Sequence, residues 1–328
     1  MTIITSLRLI AIIGFLSLIS PPIEAQSCRA PLGVSRAEWP KTDFSRCALD
    51  IYELLPGGPR RDAIAAIDKP RFIAADKAGL AATAPLIALN LNGETRGYPL
   101  AVLIWHEIVN DVVGGIPVAV TYCPLCNAAI VFDRRHDGKI LDFGTTGFLR
   151  HSDMVMYDRQ SESWWQQYDG RGLIGQYSGQ HLRSITSQLV GFADFTAAHG
   201  EAQVLRPPSP SQRVYGANPY IGYDSGFPML FRGQVPAHIA PLARVVVAAD
   251  KAWSFAYLAA NTPLQYQGLT LQWQAGQASA LDHKRVDAGR DVGSVSVTKN
   301  GQPIAHKVTF AFVVHAFEPE RPIVHLAR

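Results

Sequence analysis

Two cysteines, Cys123 and Cys126, stand two residues apart in the run Val118-Ala-Val-Thr-Tyr-Cys-Pro-Leu-Cys-Asn127. That spacing suits three chemistries: a redox-active disulfide, a soft-metal clamp or a small structural staple. A thioredoxin-type pair opens a helix whose N-terminus lowers the thiol pKa. Here Asn127-Ala-Ala-Ile-Val-Phe132 reads as another strand, which counts against that type. A single pair is also only half of a four-cysteine zinc set, so a metal would need ligands from elsewhere. His106 is the candidate third ligand, leaving an open position suited to copper or zinc. Glu107 or Asp111 would then orient the imidazole or move a proton. The plain reading of His106, a satisfied core or helix-capping histidine, carries equal weight.

Other residues near the pair offer weaker chemistry. Met154 and Met156 share a face if their segment is a strand, and His151 lies beside them, but core packing and an exposed loop explain these better. Phe143-Gly-Thr-Thr-Gly147 is a Gly-rich turn that matches neither a phosphate loop nor a dinucleotide fingerprint. It is expected to set Thr145 and Thr146 near a pocket. Asp158-Arg159 adds a candidate ion pair, and Trp164-Trp165-Gln166 an aromatic wall, although Asp–Arg pairs are usually structural and aromatics usually core. No nucleophile elbow or zinc-protease helix occurs. A paired-carboxylate glycosidase has no specific support.

These residues need elements to hold them. Pro99 to Asp111 has proline at its start, apolar residues at helical spacing and Gly114-Gly115 beyond it, which predicts a helix. On that helix His106 faces Asn110, and Glu107 faces Asp111. Ile116 to Tyr122 is then a buried strand delivering the cysteines. Asn92-Gly93 predicts a tight hairpin between 86–91 and 94–98, and His136-Asp137-Gly138 a second hairpin. Strands are expected over 128–134, 153–157, 173–178, 244–249, 269–273, 293–298 and 307–314, and a short helix over 192–199. Residues 206–227 are rich in Pro, Gly and Tyr and read as a cover or linker. The fold class is therefore α+β and mainly β, with short antiparallel strands and a few short helices.

The 328 residues are 48% hydrophobic and 17% charged, with a formal net charge of +3, the composition of a well-buried globular chain. No basic tract supports nucleic-acid binding. Arg8, the apolar run Leu9–Ile19 and the segment ending at Ala25 read as a cleaved signal peptide, too short to favour a stable membrane span. Export, to a periplasm or the outside, permits disulfides. Of the three pairings four cysteines allow, Cys28 with Cys47 is the natural structural bond.

The strings Trp105-His-Glu-Ile-Val-Asn-Asp111, Thr121-Tyr-Cys-Pro-Leu-Cys126, Phe143-Gly-Thr-Thr-Gly147, Asp153-Met-Val-Met-Tyr-Asp-Arg159 and Glu162-Ser-Trp-Trp-Gln166 occur in this order. Together they resemble domain-of-unknown-function family three-one-seven-nine, bacterial and archaeal proteins that are often exported. The likeness is dense over 95–190 and thinner beyond. It implies a shared site and little chemistry. Two features depart from the family pattern. Thr146 stands where serine is common, and Thr309-Phe-Ala-Phe-Val-Val-His-Ala-Phe317 has no tryptophan.

The expected layout is a signal peptide over 1–25, a signature domain over 26–205, and a β-rich region over 206–328 packed on the same domain. The expected site holds a soft metal, copper above all, on Cys123, Cys126 and His106, or cycles the thiols. Glu107 and Asp158 would act beside it, and Thr145, Thr146, Arg159 and Trp165 would contact a small-molecule ligand. The rival is a non-enzymatic binding module stapled by Cys123–Cys126. A third reading, weaker still, is a hydrolase using Glu107 or Asp158.

Overall fold

A computed structural model describes residues 28–327. The expected signal peptide, residues 1–25, lies outside the described residues. The chain folds as expected into many short, largely antiparallel strands in small sheets, with four short α-helices among the described residues. No helix among them is long and apolar enough to cross a membrane.

The central sheet has the order Ser184–Ile185, Ala128–Asp133, Ile116–Cys123, Ile108–Val113, all antiparallel. Its long members are buried along nearly their whole length, so their sequences run apolar rather than alternating. Beside it lies a five-stranded sheet ordered Leu54–Pro56, Phe143–Arg150, Asp153–Asp158, Trp164–Gln166, Gly172–Ile174. A second five-stranded sheet is built on the hairpin Pro85–Leu91/Glu94–Pro99, whose turn places Asn92 and Gly93 at φ of 50° and 85°. Positive φ at both central residues gives the twist that a two-residue hairpin needs.

Two further four-stranded sheets form the C-terminal half, one around Arg244–Ala248 and one around Leu269–Gln274. A single apolar core runs through both halves, joining Val120, Phe132 and Phe143 to Val246, Phe310 and Val313. Near the N-terminus Cys28 and Cys47 are disulfide-bonded, with Cα atoms 5.6 Å apart.

Three local expectations are corrected. The helix expected over 99–111 spans only Leu100–His106. Glu107 takes φ 59°, ψ −31°, which stops the helix, and Ile108–Val113 becomes a strand paired with Ile116–Cys123. The β-branched residues at 108, 109, 112 and 113 favour that outcome. The strand expected over 307–314 ends at Phe310 and continues as the helix Ala311–Phe317. The strand expected over 173–178 is only Gly172–Ile174, because Gly175, at φ 98°, turns the chain.

Candidate functional site

The cysteine pair sits in the tip of a hairpin. Strand Ile116–Cys123 passes into one 3-10 turn, Pro124–Cys126, and Asn127 in the left-handed region (φ 48°, ψ 34°) returns the chain to Ala128–Asp133. Proline suits the first position because its φ is already helical, and asparagine tolerates the left-handed exit better than most residues. Cys123 pairs in register with Ala128, so the turn closes tightly. Two distant elements hold its carbonyls: Tyr223 donates its hydroxyl to Leu125 O at 2.8 Å, and Thr309 donates Oγ1 to Cys126 O at 2.9 Å. Both cysteines are buried, and their sulfurs are not joined.

The third member is Asp153. A turn through His151 and Ser152, at φ of 52° and 67°, starts the strand Asp153–Asp158 beside the hairpin. The Cys123 thiol points at Ser152 O, 3.6 Å away. One ligand atom each from Cys123, Cys126 and Asp153 lies within 4.8 Å of the other two, and all three residues are buried. Asp153 Oδ1 accepts from Gln166 Nε2 at 2.7 Å and from the Tyr168 backbone N–H at 2.8 Å. Its Oδ2 is buried without a nitrogen or oxygen donor, and the Cys126 thiol hydrogen-bonds the carboxyl. A thiol is a weak donor, so this buried carboxyl is under-satisfied on that side.

Glu107 borders the same site. Its backbone is fully used: the N–H donates to Leu103 O at 2.7 Å, and the carbonyl accepts from Tyr122 N–H at 2.8 Å. A positive φ at a non-glycine residue costs about 1 kcal/mol or more, a strain that native folds tend to keep at functional positions. Burial first, and the charge of Asp153 second, push the Glu107 carboxyl up to about 8. Burial raises Asp153 to about 7 against the opposing hydrogen bond from Gln166. Burial also raises both thiols. Among the described residues neither carboxyl has a Lys or Arg salt-bridge partner. Four acids thus share a low-dielectric pocket, and the one cation whose charge is felt at Asp153, Lys307, makes no salt bridge to it among the described residues.

The long segment 206–242 covers the site. Tyr223 ties it to the hairpin tip, Ser152 Oγ donates to Met229 O, and Tyr215 reaches His106. Tyr220 is close enough to Glu107 and Cys123 that their charges, after burial, raise its phenol.

The other expected site residues take structural positions. His106 does not join the sulfurs: Nδ1 contacts Ala65 O at 2.7 Å and Nε2 contacts the Tyr215 hydroxyl at 2.8 Å. Its end-of-helix position, one residue before the break at Glu107, sends it to different neighbours from Glu107. Asp158 accepts from Ser161 N–H, Ser161 Oγ and Trp165 Nε1, and so fastens the 158–165 turn. Arg159 pairs with Asp68 at 2.7 Å near the surface. Thr145 Oγ1 donates to Ile64 O and Thr146 Oγ1 to Val155 O, as backbone ties. The expected Gly-rich turn is corrected: residues 143–147 lie within the strand Phe143–Arg150, whose register is irregular between Thr145 and Leu149, and a Cβ on Gly147 would lie 2.2 Å from Pro59 O. Trp165, Met154 and Met156 are core residues. His151 is 3.4 Å from Glu53. Asp153 is the residue that sequence reasoning missed, although it opens the family string Asp153–Arg159 and heads a strand after a His-Ser turn.

The sequence model of one family, described as "Protein of unknown function (DUF3179)", matches residues 61–321. No curated protein and no solved structure matches the chain.

Proposed function

The chain belongs to the DUF3179 family, and because that description names no activity we propose a function from the residues themselves: an exported protein with a buried metal site on Cys123, Cys126 and Asp153. The observation that carries this reading is the convergence of the three ligand atoms, with only the weak Cys126 thiol donor set against Asp153 on that side. In a tetrahedral site with bonds of about 2.0–2.3 Å, neighbouring ligand atoms stand about 3.3–3.8 Å apart. The observed spread of up to 4.8 Å requires only a small contraction onto an ion.

Two thiolates with a carboxylate form a mixed soft and hard set, which favours a borderline ion such as zinc. The expectation of copper rested on an imidazole that is engaged elsewhere. A divalent cation would also balance the uncompensated acids of the pocket. Glu107, outside the three-atom set but near enough to Asp153 for their charges to interact, is the acid–base group beside the ion.

Raised thiol pKa values speak against thiol exchange, because the thiolate is the reactive form. The two sulfurs are unbonded and converge with Asp153 within 4.8 Å, the arrangement a shared ion needs. Export is supported by the N-terminal leader pattern and the Cys28–Cys47 disulfide.

Titrating reduced, metal-free protein with zinc under competition from a chelator tests the reading. One equivalent should bind to the wild type and to His106→Ala, whereas Cys126→Ser and Asp153→Asn should bind at least about tenfold more weakly. Loss of the site in His106→Ala, or its survival in Cys126→Ser, would overturn the assignment.

A further inference from the structure

A second, separate cavity lies between the central sheet and the C-terminal sheet. It has a volume of about 400 Å³, within the range of small-molecule sites. One wall is apolar, with Ile130, Ile185, Val247 and Phe317; the other carries Lys307, Arg321, Tyr168 and Glu318.

Lys307 is the unusual member. Its ammonium lies 4.0 Å from the centroid of the Tyr168 ring, and its nearest carboxylate oxygen, Glu318 Oε1, is 3.7 Å away. That is an ion pair without a hydrogen bond, and no protein acceptor takes a hydrogen bond from Nζ among the described residues. Glu318 is already engaged by the Tyr168 hydroxyl at 2.8 Å and by Arg321 Nε. The remaining acid of the wall, Asp169, accepts from the Arg171 backbone N–H and closes its own turn. Burial lowers the Lys307 pKa against the opposing charges of Glu318, Asp169 and Asp153, none of which reaches hydrogen-bond distance of the ammonium. His306 adds no charge: burial lowers its pKa, and its Nδ1 faces Ile304 O at 3.0 Å. Three ammonium donors therefore border an apolar cavity with little to bond.

We propose that this cleft binds a small organic carboxylate with an apolar body, its carboxylate held by Lys307 and its body against Phe317, Ile185 and Val247. An oxyanion supplies the short, charge-assisted bonds that Glu318 does not. The apolar wall selects an acid with a hydrocarbon portion over a bare inorganic anion. The cysteines do not line the cleft.

Calorimetric titration of the whole protein with hexanoate, hexan-1-ol and inorganic phosphate tests this. Hexanoate should saturate one site, and the alcohol and phosphate should each bind at least about tenfold more weakly. Lys307→Met should weaken hexanoate by about tenfold or more, and Ile185→Trp, which fills the apolar wall, should do the same with Lys307 intact. Cys123→Ser should leave hexanoate binding unchanged. Hexanoate binding no better than hexanol would overturn the role of Lys307. Phosphate binding as well as hexanoate would overturn the apolar body, and no saturable hexanoate binding would overturn the site. The three wild-type titrations decide these points even if a variant fails to fold.

Discussion

Replacing Glu107 with glutamine should change how stability depends on pH, and the sign follows from the burial of the carboxyl. An acid held at about 8 instead of its ordinary 4.5 keeps its proton in the folded state when the unfolded chain has released it. Its contribution is complete below about pH 4.5 and is lost as pH rises towards 8. Across that window the metal-free protein should lose stability at about 1.4 kcal/mol per pH unit from this group, or about 4 kcal/mol between pH 5 and 8. That figure is an upper bound, because ionised Asp153 supplies part of the push on Glu107. Glutamine has the same shape and no proton to lose. Urea unfolding with chelator present, at pH 5, 6, 7 and 8, gives the comparison. The stability of Glu107→Gln relative to wild type should rise by up to about 4 kcal/mol from pH 5 to pH 8. The residual slope in the variant belongs to Asp153, which is held at about 7. A difference that stays flat within about 1 kcal/mol across the range would refute the claim that Glu107 is buried as a neutral acid.

Two further outcomes follow from the same geometry. Tyr223→Phe removes the hydroxyl that holds Leu125 O and loosens the 206–242 cover, so a thiol reagent should label the native cysteines about fivefold faster, matching about 1 kcal/mol of lost hydrogen bonding. Labelling at the wild-type rate would show that this segment does not control access. The double substitution Cys28→Ser, Cys47→Ser should cost about 3 kcal/mol in urea unfolding, the loop-closure value for a bond of this span, while leaving zinc binding intact. A cost below about 1 kcal/mol would mean that the N-terminal segment unfolds separately.

Much of the fold was legible because it is written in local turn chemistry. Asn92-Gly93 announces its hairpin through the positive φ both residues adopt, and Asp137-Gly138 does the same between Arg135–His136 and Lys139–Ile140. The strand leading into the cysteines and the strand leaving them are equally plain in the sequence, and a strand in place of a helix after the pair counts against a thioredoxin-type site. The run 99–111 was ambiguous for a physical reason. Leu100, Leu103, Ile104 and Ile108 fit a helical face, yet Ile108–Val113 fits a buried strand equally well. The left-handed backbone at Glu107 decides between them, and nothing in residue type announces it. The run 307–317 split between strand and helix for the same reason.

Closeness along the chain put His106 forward as the third ligand, whereas the carboxylate that groups with the sulfurs, Asp153, arrives from another sheet. Contacts of that kind depend on how sheets pack, a tertiary fact that spacing along the chain does not encode.

X-ray absorption at the zinc edge of the reconstituted protein tests the central claim most directly. The account predicts two sulfur scatterers at about 2.3 Å with one or two light scatterers at about 2.0–2.2 Å, and at most one sulfur scatterer in Cys126→Ser. A shell of nitrogen and oxygen alone, or reduced protein that holds no zinc, would contradict it.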